Sequence, residues 1–155
     1  MIPLLISELE GLGRLEPTAV EVTGVQIDSR RVQPGDLFVA VRGGVAYVDQ
    51  ARAAGAAATL VPHDDHVAMA AIGRAVRDRS SAEVVGITGS SGKTSTKDIV
   101  AQLLPRVGPT VAARGSLNNE LGLPYTVLRA DLDTRFLVLE MGARGPGHLT
   151  HLCRI

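Results

Sequence analysis

The ten residues Gly86-Ile87-Thr88-Gly89-Ser90-Ser91-Gly92-Lys93-Thr94-Ser95 restrict the fold of this chain more than any other stretch. Before them, Glu83-Val84-Val85 reads as a short β-branched strand. After them, Ile99, Val100, Leu103 and Leu104 recur at helical spacing, which predicts one packed helix face. Strand, glycine loop and helix in that order form the context of a phosphate-binding loop. Gly89 and Gly92 let backbone N–H groups approach an anion, and the helix start points its unsatisfied N–H groups at the same place. Lys93 is placed to reach terminal phosphates, and the Thr94 hydroxyl to coordinate Mg²⁺. The candidate cofactor-binding set is therefore Gly89, Ser90, Ser91, Gly92, Lys93, Thr94 and Ser95, with a nucleoside triphosphate and Mg²⁺ as the groups they would hold. The strict pattern would place glycine at 87, where Ile87 stands. The bland reading is a Gly/Ser turn with a surface lysine, and the strand-to-helix position of Gly-Lys-Thr speaks against it.

The rest of the chain reads as strands alternating with helices, which is an α/β fold. Ile6 to Gly13 reads as a short helix capped by Ser7, and Val20 to Asp28 as a strand with Gly24 at a bulge or turn. Leu37-Phe38-Val39-Ala40-Val41 and Ala58-Thr59-Leu60-Val61 read as strands, with an alanine-rich helix from Val48 to Ala57 between them. Residues 65–79 read as a helix packing through Val67, Ala71 and Val76. Ser80-Ser81 then breaks the pattern, which predicts a domain over 1–80 and a second over 81–155. Thr110 to Ala113 and Phe136 to Met141 complete the strands.

Other candidate residues carry two readings each. Asp28-Ser29-Arg30, at a strand end, could grip a polar ligand, or form a turn with an ion pair. Asn118 and Asn119 could donate to phosphate or acyl oxygens, or cap a helix. Glu140 closes an apolar strand, and ligands of parallel sheets sit beyond strand C-termini, so it is a candidate Mg²⁺ ligand beside Thr94. The alternative is an exposed strand-end acid. His63 and His66 flank two aspartates and could form a metal site, but the stronger reading is a solvated helix start with acidic first residues. His148 and His151 read as surface residues.

Composition removes several functions. Lys and Arg total 16, equal to Asp and Glu, so no basic surplus points to nucleic acid or to a membrane surface. No apolar run is long enough to span a bilayer, and Ile2 to Ile6 lacks the basic start of a signal peptide, so the expectation is a cytoplasmic protein. Cys153 stands alone, which excludes an internal disulfide.

Four motifs in order resemble the Mur ligase family: residues 86–97, Leu117 to Pro124, Leu139 to Ala143, and Asp28-Ser29-Arg30 followed by Pro34 to Ala40. Within it the chain is most similar to the D-alanyl-D-alanine-adding type. The resemblance implies a small N-terminal α/β substrate domain followed by the start of a P-loop parallel-sheet ATP-binding domain. It implies that ATP phosphorylates the terminal carboxylate of a UDP-N-acetylmuramoyl-peptide. The amine of D-alanyl-D-alanine then attacks the acyl phosphate. Lys93, Asn118 and Asn119 become the catalytic candidates, Thr94 and Glu140 the metal ligands, and Asp28, Ser29 and Arg30 the uridine-nucleotide contacts. The family often has asparagine where Ser116 stands, and Asp-Gly-His where Gly43-Gly44-Val45 stands. It also implies a longer chain carrying a carbamylated lysine, an adenine pocket and a C-terminal domain. The expectation is thus a fragment whose strand 136–140 leaves an apolar edge open, completed by dimerisation or a second chain. Two further readings stay open: a non-catalytic nucleotide- or UDP-sugar-binding module, and a plain P-loop phosphotransferase.

Overall fold

A computed structural model describes residues 1–155, which divide into two compact units, Met1–Ala68 and Met69–Ile155. In the first, the strands are β1 (Leu4–Leu5), β2 (Gly13–Pro17), β3 (Glu21–Val22), β4 (Gly24–Gln26), β5 (Asp36–Val39) and β6 (Ala58–Pro62). Helix α1 (Val48–Ala53) lies between β5 and β6 in sequence, and α2 (Asp65–Arg79) carries the chain into the second unit. The main sheet has the order β2-β6-β5-β4, and β1 pairs with β3 separately. β4, β5 and β6 run parallel, and β2 is antiparallel to β6. The parallel strand β5 is buried throughout, as the apolar run Leu37-Phe38-Val39 requires, and its first residue Asp36 accepts from the Gln33 N–H at 2.9 Å. Val32, Phe38, Ala40, Val48, Ala51 and Ala56 form the core between α1 and the sheet. Each large apolar side chain buried there contributes about 1.5–3 kcal/mol.

Three expectations for this unit change. β2 is a strand that the sequence hides, because Gly13 and Pro17 are poor strand residues. Pro17 is tolerated because β2 is an edge. Residues 6–9 form only a 3₁₀ turn, and its Leu5 N–H donates to Glu8 Oε2 at 2.8 Å rather than to a Ser7 cap. The expected strand from Val20 to Asp28 breaks at Thr23 into β3 and β4, which join different sheets. A side chain at Gly24 would run into the Asp36 carboxylate, so glycine lets β4 close on β5.

The second unit contains β7 (Glu83–Ile87), α3 (Lys93–Leu103), β8 (Thr110–Ala112), α4 (Gly122–Val127), β9 (Phe136–Glu140) and α5 (His148–Leu152). Its sheet is wholly parallel, in the order β7-β9-β8. β9 is therefore the central strand, paired on both sides and buried at all five residues. This corrects the expectation that strand 136–140 leaves an open edge. The apolar run marks β9 as interior, and the chain places it between β7 and β8. The free edges belong to β7 and β8, and β7 is largely exposed.

The packed helix faces also differ from expectation. α2 starts on Asp64, whose Oδ1 accepts from the N–H groups of His66 and Val67. Those bonds, led by Val67, hold the Asp64 carboxyl below the usual range. It packs through Ala68, Met69, Ile72 and Val76, and leaves Val67 and Ala71 exposed. The two stripes share Val76, and the bulkier Met69 and Ile72 decide between them. In α3, Ile99 and Leu103 are 59% and 53% exposed, and Val100 is half-buried. The residue that α3 buries is Lys97.

Candidate functional site

The loop between β7 and α3 spans residues 88–92 and is exposed along its length. Gly92 sits at φ 76°, a left-handed conformation that L side chains resist, and it begins α3. Gly89, at φ 149°, turns the chain out of β7. Lys93 folds back over the loop, its Nζ donating to Gly89 O at 2.7 Å. Thr94 follows, half-buried in the first turn of α3. Ser90 and Ser91 lie in the exposed loop, and Ser95 is exposed on the helix.

The parallel register pairs Ile87 with Glu140, so the acid ends β9 directly beside the residue that enters the loop. The Met141 N–H donates to Ile87 O at 2.8 Å and fixes that alignment. Glu140 is 1% exposed. Its Oε1 accepts from Asn118 Nδ2 at 2.7 Å, and its buried Oε2 has no hydrogen-bond partner. A buried carboxyl oxygen without a donor is costly in a finished core and suits a cation ligand. No cluster of three or more His, Cys, Asp or Glu side chains that could hold a metal exists. Mg²⁺ bound alongside phosphates takes one or two protein oxygens, and the unpartnered Oε2 of Glu140 suits that role, whereas Thr94 stands on the neighbouring helix α3 as the sequence candidate for the second.

The two asparagines separate. Asn118 faces Glu140, and its carbonyl O accepts from Gly142 N–H at 2.9 Å. Asn119 Oδ1 accepts from Leu121 and Gly122 N–H at 3.2 and 2.8 Å, at the start of α4. Its side-chain oxygen is engaged as a helix cap. Sequence reasoning missed Lys97 and His148. His148 is half-buried, not on the surface. Its Nδ1 accepts from Arg144 N–H at 3.0 Å, and its Nε2 lies 2.6 Å from Glu120 Oε1, off the line of a good hydrogen bond. The Glu120 carboxyl sits below the usual range, chiefly through its own backbone N–H and then through His148.

On the first unit, Asp28, Ser29 and Arg30 line a cleft of about 560 Å³ with Phe38, Tyr47 and Gln50. Asp28 caps a 3₁₀ turn over Ser29–Arg31 and accepts from Arg30 through both side-chain oxygens, at 2.9 and 2.8 Å. Ser29 Oγ donates to Gln50 Oε1 at 2.8 Å. The Arg30 guanidinium is held and aimed by Asp28, with its remaining donors free to meet a ligand. That hydrogen bond lowers the Asp28 carboxyl to about 2. The folded value lies below the unfolded one, so the pair's contribution to stability is full above pH 3.8 and fades as pH falls through about 2. NMR titration of Asp28 is expected to find its midpoint near about 2, moving back toward 3.8 in Arg30→Ala. An unmoved midpoint would show that Arg30 does not hold it.

A parallel sheet, a glycine loop opening a helix and an acid at the adjoining strand end together define a P-loop α/β protein. Residues 21–103 match the Mur ligase family catalytic domain, and residues 87–155 match the Mur ligase middle domain. The chain belongs to the Mur ligase family. It is 35% identical to the UDP-N-acetylmuramoyl-tripeptide–D-alanyl-D-alanine ligase of Escherichia coli (strain K12), over 96% of this chain and 37% of that protein. It is 40% identical to the ligase of the same name from Mycobacterium tuberculosis (strain H37Rv), over 86% and 34%. Among solved structures, MurF from Acinetobacter baumannii superposes with a TM-score of 0.81 at 30% identity, covering 97% of this chain and 38% of that one. MurF from Thermotoga maritima in complex with ADP gives 0.71 at 34% identity, covering 84% and 34%. The chain thus spans about a third of the length of the curated relatives it matches. No helix is long and apolar enough to cross a membrane.

Proposed function

We propose that this chain is the nucleotide-binding and UDP-substrate part of an ATP-dependent amide ligase of peptidoglycan precursor synthesis. The UDP-substrate domain is the part within residues 1–80, whose body is the unit Met1–Ala68 with α2 leading out of it, and residues 81–155 carry the first part of the ATP-binding domain. The ligase joins D-alanyl-D-alanine to a UDP-N-acetylmuramoyl-peptide through an acyl phosphate. Carrying this reading is the orphan oxygen of buried Glu140, aligned with the residue that enters the glycine loop. Loop N–H groups and Lys93 bind the phosphates of ATP, and Thr94 and Glu140 hold Mg²⁺, which offsets phosphate charge when bound. Asn118 orients the Glu140 carboxyl through the bond at Oε1. The fork made by Asp28 and Arg30 in the first-unit cleft receives the UDP moiety.

The test is calorimetric titration with UDP-N-acetylmuramoyl-tripeptide and, separately, with Mg²⁺-ATP. Two saturable sites are expected. Arg30→Ala is expected to weaken the UDP-linked ligand by about tenfold, the loss of a charge-assisted bond, and to leave ATP unaffected. A folded chain that binds neither ligand overturns the reading.

One observation favours a second reading, in which the chain is a binding module that works with a partner polypeptide. β7 leaves one edge unpaired, and α3 exposes Ile99 and Leu103. An apolar hollow of about 210 Å³, lined by Val84, Leu139, Met141, Leu152 and Ile155, borders the same strand. Surfaces of this kind are normally covered. A stable monomer in sedimentation at high concentration, turning over ATP with both substrates, would set this second reading aside.

A further inference from the structure

Lys97 is the buried residue of α3, one helical turn after Lys93, and its side chain is 2% exposed. A lysine ammonium has three protons to give, and removing it from water is costly unless each is accepted. Its Nζ donates to Ala113 O at 2.9 Å and to Gly115 O at 3.0 Å, and lies 2.7 Å from Asp98 Oδ1. The first two acceptors open the loop that follows β8. Three residues on stands Asn118, whose N–H donates to Ser116 O at 2.9 Å and whose amide holds Glu140. β8 has an independent tie one residue earlier, where Arg129 Nη1 donates to Ala112 O at 2.7 Å. Loss of the lysine therefore frees residues 113–115 and leaves the strand in place, while beyond its own loop Asn118 keeps only its backbone bond from the Gly142 N–H at 2.9 Å and the bond to Glu140.

We propose that Lys97 is a positioning residue of the phosphate site: its buried ammonium locks the loop at residues 113–118 onto the helix that begins at the glycine loop, and so sets Asn118 against Glu140. The inference rests on the reading of that loop as a nucleotide site. One helix then carries two lysines with separate tasks. Lys93 meets the ligand, and Lys97 holds the loop whose asparagine orients the metal-binding acid. Outer contacts of this type tune a metal site without touching the ion.

The experiment compares the chain with Lys97→Met and Lys97→Arg. The first readout needs no ligand: hydrogen exchange of the Asn118 side-chain amide, followed by NMR. The second is ATP affinity with and without Mg²⁺. In Lys97→Met the amide is expected to exchange at least about tenfold faster, and the Mg²⁺ enhancement of ATP affinity to fall by about tenfold. Metal-free ATP affinity is expected to stay within about twofold, since the loop N–H groups and Lys93 are untouched. Lys97→Arg, which keeps the charge and the donors, is expected to restore most of both. Unchanged exchange and unchanged Mg²⁺ enhancement in a cooperatively melting Lys97→Met would overturn the proposal. So would a parallel fall of both affinities with the melting temperature, which marks a merely structural lysine. If the parent chain binds no ATP while the amide still loses protection, the nucleotide reading fails and Lys97 remains the positioner of Asn118. Should Lys97→Met not fold, Lys97→Gln gives the same two readouts.

Discussion

Lys93→Ala is expected to weaken Mg²⁺-ATP binding by about 30- to 150-fold, the loss of a charge-assisted contact worth about 2–3 kcal/mol. The same substitution is expected to move the melting temperature by less than about 2 °C. The two effects differ because of where the ammonium sits. Without ligand it lies at the surface, donating to Gly89 O at 2.7 Å, and water can replace that bond. On the proposed reading it would leave the loop carbonyl for phosphate oxygens in a rim of N–H groups, where its charge has no substitute. Gly92 at φ 76° keeps the loop in shape with or without the lysine, so the variant loses affinity and not the site. Calorimetric titration, with a thermal melt on the same sample, reads both quantities. An alanine variant that binds as tightly as the parent would remove Lys93 from the phosphate contacts. A variant that melts far below the parent would show that the Gly89 bond is structural.

The parts of the fold legible in the sequence are those set by local chemistry. β7, the glycine loop and α3 follow from adjacent residue types, and β9 from an apolar run closed by one acid. The cap at Asp64 and the strands β5 and β6 are readable for the same reason. What stays hidden depends on partners distant in the chain. Periodicity gives α3 an apolar stripe but does not say which face the sheet receives. The carbonyls of Ala113 and Gly115 draw Lys97 inward, and Ile99 and Leu103 stay outside. Strand order is hidden likewise, since nothing local tells β9 to enter between β7 and β8. In the candidate site, Glu140 was legible as an acid at a strand end, whereas its orphan oxygen was not. Asn118 and Asn119 look alike in sequence. Only the fold makes one a ligand of Glu140 and the other a helix cap.

Glu140→Gln is expected to separate stability from function in opposite directions. A carboxylate that is 1% exposed, with one oxygen lacking a donor, carries a desolvation penalty of several kcal/mol. Glutamine keeps the shape and an oxygen for Asn118, and removes the charge. Its amide leaves an unmet donor in the same place, costing about 1–3 kcal/mol. The smaller penalty should prevail, so the variant is expected to be about 1–2 kcal/mol more stable in chemical denaturation at neutral pH. Mg²⁺ enhancement of ATP affinity is expected to fall by at least about tenfold, because a neutral amide is a poor ligand for a hard cation. Metal-free ATP affinity should hold or rise, as a negative charge beside the phosphates has gone. A variant that is less stable and retains its Mg²⁺ dependence would show that the acid serves the core and not the ion. A more stable variant without Mg²⁺ dependence would mark Glu140 as a group kept at the expense of the fold for the sake of the site, with Lys97 and Asn118 arranged around it.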